Sequence, residues 1–208
     1  VVILPFLYGF YLTLTDWDGV KKVKNLVGVQ NYIAVFHDTA FWSSMGLTLK
    51  YVLFSVLLVN VAAFLLAYAL THGLKGQKFF RAGFFTPNLI GGVVLGFIWQ
   101  FVFSRVLVNF GKSAGWGLFK SSWLADPDKA FWSLVIVTVW QLSGYMMLIY
   151  IAGFTGLSSD VLEAASIDGA TGFQKMKSII LPLMVPSFVI CLFLTLSRAF
   201  MVYDVNLT

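Results

Sequence analysis

Tyr51-Val52-Leu53-Phe54-Ser55-Val56-Leu57-Leu58-Val59-Asn60-Val61-Ala62-Ala63-Phe64-Leu65-Leu66-Ala67-Tyr68-Ala69-Leu70 decides the fold class, because it is apolar around the whole helical circumference and free of Asp, Glu, Lys and Arg. Roughly 20 such residues cross about 30 Å of hydrocarbon as a helix, and an all-round apolar helix of that length belongs in a bilayer. Three further intervals lack those charges, residues 82–104, 130–156 and 178–197. Full spans are therefore expected at 48–72, 80–104, 130–154 and 179–201. The apolar run 1–15, with Pro5 and Gly9, covers only about 22 Å at about 1.5 Å per residue and reads as part of a first span. The expectation is an all-α, polytopic membrane helical bundle forming a single transmembrane domain over 1–208, truncated at both ends.

Composition agrees with this and excludes other classes. Of 208 residues 59% are hydrophobic and 11% charged, against about 45–50% and about 25% in soluble domains. Disordered chains are poor in aromatics, whereas Phe, Trp and Tyr make up 17% here. The net charge of +5 comes from 14 scattered Lys and Arg with no dense basic stripe, so nucleic acid is not an expected partner. The one cysteine, Cys191, can form neither an intrachain disulfide nor a thiolate cluster.

Four connections separate the spans. Asp16 to Ser44 and Arg105 to Lys129 lie on one side of the membrane; the basic Thr71 to Arg81 and the loop 157–178 lie on the other. Seven Lys and Arg on the first side against five on the second leave orientation open, although the acid-free loop with Lys75, Lys78 and Arg81 leans towards the cytoplasm. No span contains Asp or Glu, which argues against an ion-coupled secondary carrier, since such carriers place ionisable groups near the midplane. The chain also has no phosphate-binding loop: Gly111-Lys112-Ser113 has Val106 where the pattern requires glycine. Gly111-Lys112-Ser113-Ala114-Gly115 fits G-x-S-x-G, but a hydrolase elbow needs a preceding strand, and the expected setting is a loop between helices. His37 and His72 stand alone, so no metal ligand set and no catalytic residue is assigned.

The loop 157–178 carries the most information. Asp160 followed by Glu163 is a capping-box-like helix start, Gly169 a natural stop, and Thr171 followed by Gln174 a second start. Helix, glycine turn and helix then present Ala164, Ala165, Ile167, Ala170, Phe173 and Met176 as an apolar side. Such a pair either docks on a partner or lies against the bilayer. Glu163-Ala164-Ala165, three residues, Gly169, nine residues, then Ile179-x-Leu181-Pro182 resembles the EAA signature of ABC-importer permeases. Asn31-Tyr32, Phe84-Phe85-Thr86-Pro87 and Tyr203-Asp204-Val205-Asn206-Leu207-Thr208 resemble the carbohydrate-importing, maltose-permease-like subfamily. Where that family often has Ile-Pro, Ser158-Ser159 stands here.

The resemblance implies a type I ABC importer permease core in a bacterial cytoplasmic (inner) membrane. The loop would be the cytoplasmic element docking on a separate ATPase, with Glu163, Ala164, Ala165, Asp168, Gly169 and Ala170 making that contact. ATP and Mg would be held by the ATPase subunits and no cofactor by this chain. The other implied partners are a homologous second permease, an extracytoplasmic solute-binding protein, membrane lipid and a sugar. In the span 130–154, Thr138, Gln141 and Tyr145 fall on one helical face and suit a neutral hydroxylated solute; Thr195 and Arg198 are the matching stripe that the resemblance adds. Ordinary interhelical hydrogen bonding by Thr138 and Gln141 is the competing reading, and Asn60, Asn88 and Gln100 read as packing residues. Alternatives to the sugar importer are a secondary carrier, an importer of another solute such as glycerol phosphate, and a membrane-embedded enzyme.

Overall fold

A computed structural model of the chain describes residues 3–74 and 76–202; Lys75 of the short basic loop and the Tyr203–Thr208 stretch lie outside the described residues. The described residues are helical apart from turns and one isolated bridge. Contacts divide the chain into residues 1–49 and 50–208, each with its own packing.

In the first unit, α1 (Ile3–Thr13) and α2 (Gln30–His37) are tied by polar contacts between sequence-distant residues. Thr15 bridges Leu26 in antiparallel fashion, and the Asn31 amide donates to the carbonyls of Thr13 at 2.9 Å and Thr15 at 2.8 Å. Asp16 accepts from the Asn25 backbone N–H at 2.8 Å and from its side-chain amide at 3.0 Å, which holds the Asp16 carboxyl below the usual carboxylate range. What reads as an open connection between Asp16 and Ser44 thus contains α2 and the first turn of α3 (Thr39–Thr71).

The second unit is assembled around α7 (Pro127–Thr155), whose N-terminus is capped by Asp126 accepting from the N–H groups of Asp128 and Lys129. Val59, Ala63, Ala67 and Leu70 of α3 pack on Leu142, Met146, Met147, Tyr150, Ile151 and Phe154 of α7, with Met184 and Cys191 closing the cluster. Small residues on α3 and glycines on α7 allow the close approach of helices that lack a hydrophobic driving force in lipid. A Cβ at Gly144 would run into the Phe84 carbonyl, and one at Gly153 into the Ser187 hydroxyl.

Three described helices are long and apolar enough to cross a membrane: Thr39–Thr71, Gly92–Ala114 and Pro127–Thr155. The stretch read as a span over 80–104 is instead broken. α4 (Gln77–Phe85) ends in a 3-10 turn at Thr86–Leu89 with Pro87 at its start, and Ile90 and Gly91 are extended. A new helix then runs from Gly92 as α5 (Gly92–Phe101), a wider turn at Val102–Val106 and α6 (Leu107–Ala114). Gly111-Lys112-Ser113 therefore sits in the last turn of a helix, not in an open loop, and Gly115 terminates that helix at φ 72°. After α7 come α8 (Ser159–Ile167), α9 (Gly172–Lys175), a wide turn at Met176–Ile180, α10 (Leu181–Leu183) and α11 (Val185–Phe200). The segment Gly172–Leu183 meets Val185–Phe200 at 64°, so the apolar stretch read as a span over 179–201 is bent near its start, between Pro182 and Pro186.

Candidate functional site

The loop after α7 folds as two short helices around one glycine. α8 begins after Ser158, which makes no side-chain capping bond; Asp160 is in the first turn and not at the cap, so the Asp160–Glu163 capping box does not form. The carboxylate of Asp160 still lies at the positive end of the helix. The exit is a Schellman closure: Gly169 N–H donates to Ser166 O at 3.1 Å and Ala170 N–H to Ala165 O at 2.9 Å, with Gly169 at φ +76°. Thr171 then forms the reciprocal box with Gln174: the Thr171 N–H donates to Oε1 at 2.7 Å, and the Gln174 N–H to the Thr171 hydroxyl at 3.3 Å. Lys175 donates across the turn to the Ser166 hydroxyl at 2.6 Å, joining the two helices.

This geometry sorts the candidate coupling residues. Glu163, Ala164, Asp168 and Gly169 are exposed, Ala170 is half-buried and Ala165 is buried. Ile167 at 86% and Phe173 at 76% exposure leave an apolar rim beside the turn. His72, Ser159, Leu162, Glu163, Ser166, Lys175 and Ile180 line a hollow of about 350 Å³ next to it. His72 is the residue that sequence reasoning missed, since nothing local to the end of α3 pairs it with this loop.

The second polar feature lies where the broken span meets α7 and α11. Asn88, Leu89, Ile90, Gly91, Gly92, Thr138, Gln141, Leu142, Arg198, Met201 and Val202 line a cavity of about 480 Å³. The extended backbone at Ile90 leaves its carbonyl out of a helix ladder, and Gln141 Nε2 donates to it at 3.3 Å. Asn88 Oδ1 is buried there without a hydrogen-bond partner among the described residues. Thr138 is 5% exposed, and its hydroxyl shares a 2.7 Å hydrogen bond with the Tyr51 hydroxyl.

Three of the five candidate path residues, Thr138, Gln141 and Arg198, thus face one cavity. Tyr145 lies against the main apolar cluster with its ring 6.4 Å from that of Phe85, outside the cavity lining. Thr195 is 1% exposed and belongs to a buried relay between helices. Its hydroxyl accepts from Asn60 Nδ2 at 2.9 Å and donates to Cys191 O at 2.7 Å, while the Tyr150 hydroxyl donates to Asn60 Oδ1 at 2.8 Å. Asn88, read from sequence as a packing residue, joins the cavity instead, a placement visible only once the backbone breaks after Pro87. Among the described residues no three His, Cys, Asp or Glu side chains gather as metal ligands.

Comparison with known proteins agrees with this architecture. Over its full length the chain is 39% identical to AmyD of Thermoanaerobacterium thermosulfurigenes, named as a probable starch degradation products transport system permease protein, and covers 70% of that protein. It is 32% identical to the trehalose/maltose transport system permease protein MalF of Thermococcus litoralis, over 98% of this chain and 70% of the relative. The multiple sugar-binding transport system permease protein MsmF of Streptococcus mutans is 29% identical over 96% of this chain and 69% of its own. Among solved structures, a chain of a bacterial ABC transporter involved in import of the acidic polysaccharide alginate superposes with a TM-score of 0.79 at 20% identity, covering 96% of this chain and 68% of that one. Residues 59–206 match the family described as the binding-protein-dependent transport system inner membrane component, and the chain belongs to that family of ABC transporter permeases.

Proposed function

We propose that this permease is the membrane subunit of an ATP-driven importer of sugars or oligosaccharides. It works with a second permease, a pair of ATPase subunits that hold ATP and Mg, and an extracytoplasmic solute-binding protein. The observation that carries the coupling role is the Schellman-closed turn at Gly169, which holds α8 and α9 as one rigid projection with Glu163, Ala164 and Asp168 outward. Closure of the ATPase pair pushes this projection, and α7 and α11, which flank it in the chain, rock between inward- and outward-open arrangements. Thr138, Gln141 and Arg198 contact the solute in the cavity beside the broken span, with amide and hydroxyl groups suited to sugar hydroxyls. Relatives named for starch degradation products, multiple sugars and trehalose or maltose support the carbohydrate class.

The test is Gly169→Val in the complete transporter, reconstituted in liposomes. A β-branched residue is strained at φ +76°, so the turn reshapes while the buried faces of α7 and α11 stay unchanged. The expected result is uptake reduced at least about 10-fold with the permease and ATPase still co-purifying and ATP still hydrolysed, the scale of one lost coupling contact of about 1.4 kcal/mol or more. Uptake at the unaltered rate would overturn the assignment.

A further inference from the structure

α4 reads Gln77-Lys78-Phe79-Phe80-Arg81-Ala82-Gly83-Phe84-Phe85, and its two halves ask for opposite surroundings. Lys78 and Arg81 lie one turn apart on one arc. Phe79, Phe80, Gly83 and Phe84 are exposed on the opposite arc, with the Phe80 and Phe84 rings stacked 6.5 Å apart. Together with Trp140 of α7 these four residues line an open groove of about 270 Å³. Trp140 lies midway along a helix apolar enough to cross the membrane, so the groove opens at bilayer depth, where its aromatic lining suits hydrocarbon.

The charged arc points away from that depth. Side chains on a helix lean towards its N-terminus, which directs Lys78 and Arg81 back to Gly76 and the turn that follows α3. His72 of that turn lines the hollow shared with Ser159 and Glu163, so the cations sit at the same membrane surface as the α8–α9 loop. From Thr39 to Ala125 the sequence contains no Asp or Glu, and among the described residues the ion pairs are Lys21–Asp18 and Lys129–Asp126. Arg81 Nε is buried with no hydrogen-bond partner among the described residues. Half-buried Arg81 and exposed Lys78, two cations one turn apart with no ion-pair partner among the described residues, call for an anionic oxygen acceptor.

We propose that α4 and Trp140 form a binding site for an anionic phospholipid of the leaflet that faces the α8–α9 loop. Its phosphate is taken by Lys78 and Arg81, and one acyl chain lies along Phe80, Gly83, Phe84 and Trp140. Gly83 is the open floor of the groove, because a Cβ there meets nothing within 4 Å. The site stands apart from Gly169 and from the polar cavity, so its test is independent of the coupling and transport readings.

The complete transporter is purified in mild detergent and titrated with phosphatidylglycerol or phosphatidylcholine under native mass spectrometry. The wild type is expected to retain phosphatidylglycerol in preference to phosphatidylcholine. Each basic residue contributes roughly a 5-fold preference for anionic lipid, so Lys78→Gln with Arg81→Gln should weaken phosphatidylglycerol retention by roughly 25-fold and leave phosphatidylcholine unchanged. Gly83→Leu fills the groove without touching the protein core and should lower retention of both lipids. Equal retention of the two lipids by the wild type, or unaltered phosphatidylglycerol retention in the double variant, overturns the proposal. So does efficient crosslinking of Gly83→Cys to the second permease in native membranes, which would make the groove a protein interface.

Discussion

Asn60 shows how a single polar side chain on an apolar helix is used inside the bundle. Its amide donates to Val56 O on its own helix at 2.8 Å and to the Thr195 hydroxyl at 2.9 Å, and its carbonyl accepts from Tyr150 at 2.8 Å. Both amide hydrogens and one lone pair of the carbonyl are engaged, so removing one partner strands another in a low-dielectric core. Tyr150→Phe removes only the donor to Asn60 Oδ1 and should destabilise by about 1 kcal/mol. Asn60→Leu strands Tyr150 and also overfills the site and should cost about 2–3 kcal/mol. Thermal unfolding in detergent should therefore rank wild type above Tyr150→Phe above Asn60→Leu; an unchanged midpoint in both variants would remove the relay from the account. The same residues explain what sequence could not separate. Thr138 and Thr195 are both hydroxyls on apolar helices, yet Thr138 lines the cavity while Thr195 is sealed into a contact reaching 135 positions back along the chain. Helical spacing places a residue on a face of its own helix and says nothing of the helix opposite.

At the scale of elements, the start of α7 is written locally, yet the charge-free interval places that span at residue 130, three positions after the helix begins. Asp126 before Pro127 puts a carboxylate at the cap, and hydrogen bonding from the Lys129 backbone N–H, then from Asp128, holds that carboxyl below the usual carboxylate range. A lowered folded-state value means the cap contributes its full stabilisation above the ordinary carboxylate range and loses it as pH falls through the folded value. Hydrogen exchange should accordingly be faster at the Asp128 and Lys129 amides in Asp126→Ala than in the wild type near neutral pH. The two proteins should converge as the medium is acidified below the carboxylate range, and a difference that persists there would assign the protection to packing. The Gly169 stop and the Thr171–Gln174 box were legible on local grounds, whereas the break at residues 86–91 was not. Hydropathy averages over a window, and the apolar composition on both sides of Pro87 masks the break, which follows directly on the close contact of the Phe84 carbonyl with Gly144.

For the whole molecule, the proposed coupling rests on which pieces share helices. α7 carries the buried relay through Tyr150, the cavity lining through Thr138 and Gln141, and leads directly into α8. α11 carries Thr195 in the relay and Arg198 at the cavity, and follows the same loop through α9 and α10. In the proposed coupling a displacement of the loop is delivered to both cavity walls, while the Asn60 relay keeps α3, α7 and α11 together as they move. The proposed solute path separates residues that hold the bundle from residues that would meet the solute, and transport kinetics can tell them apart. Gln141→Ala removes a cavity amide and leaves the Ile90 carbonyl facing the solute path; it should raise the KM for sugar uptake roughly 10-fold, the loss of a hydrogen bond of about 1–1.5 kcal/mol, with the melting midpoint little altered. Thr195→Val removes a relay hydroxyl outside the cavity lining and should lower the midpoint while leaving KM at the wild-type value. If instead Thr195→Val raises KM and Gln141→Ala changes only stability, the solute follows the Asn60 relay and the cavity beside Pro87 is packing space.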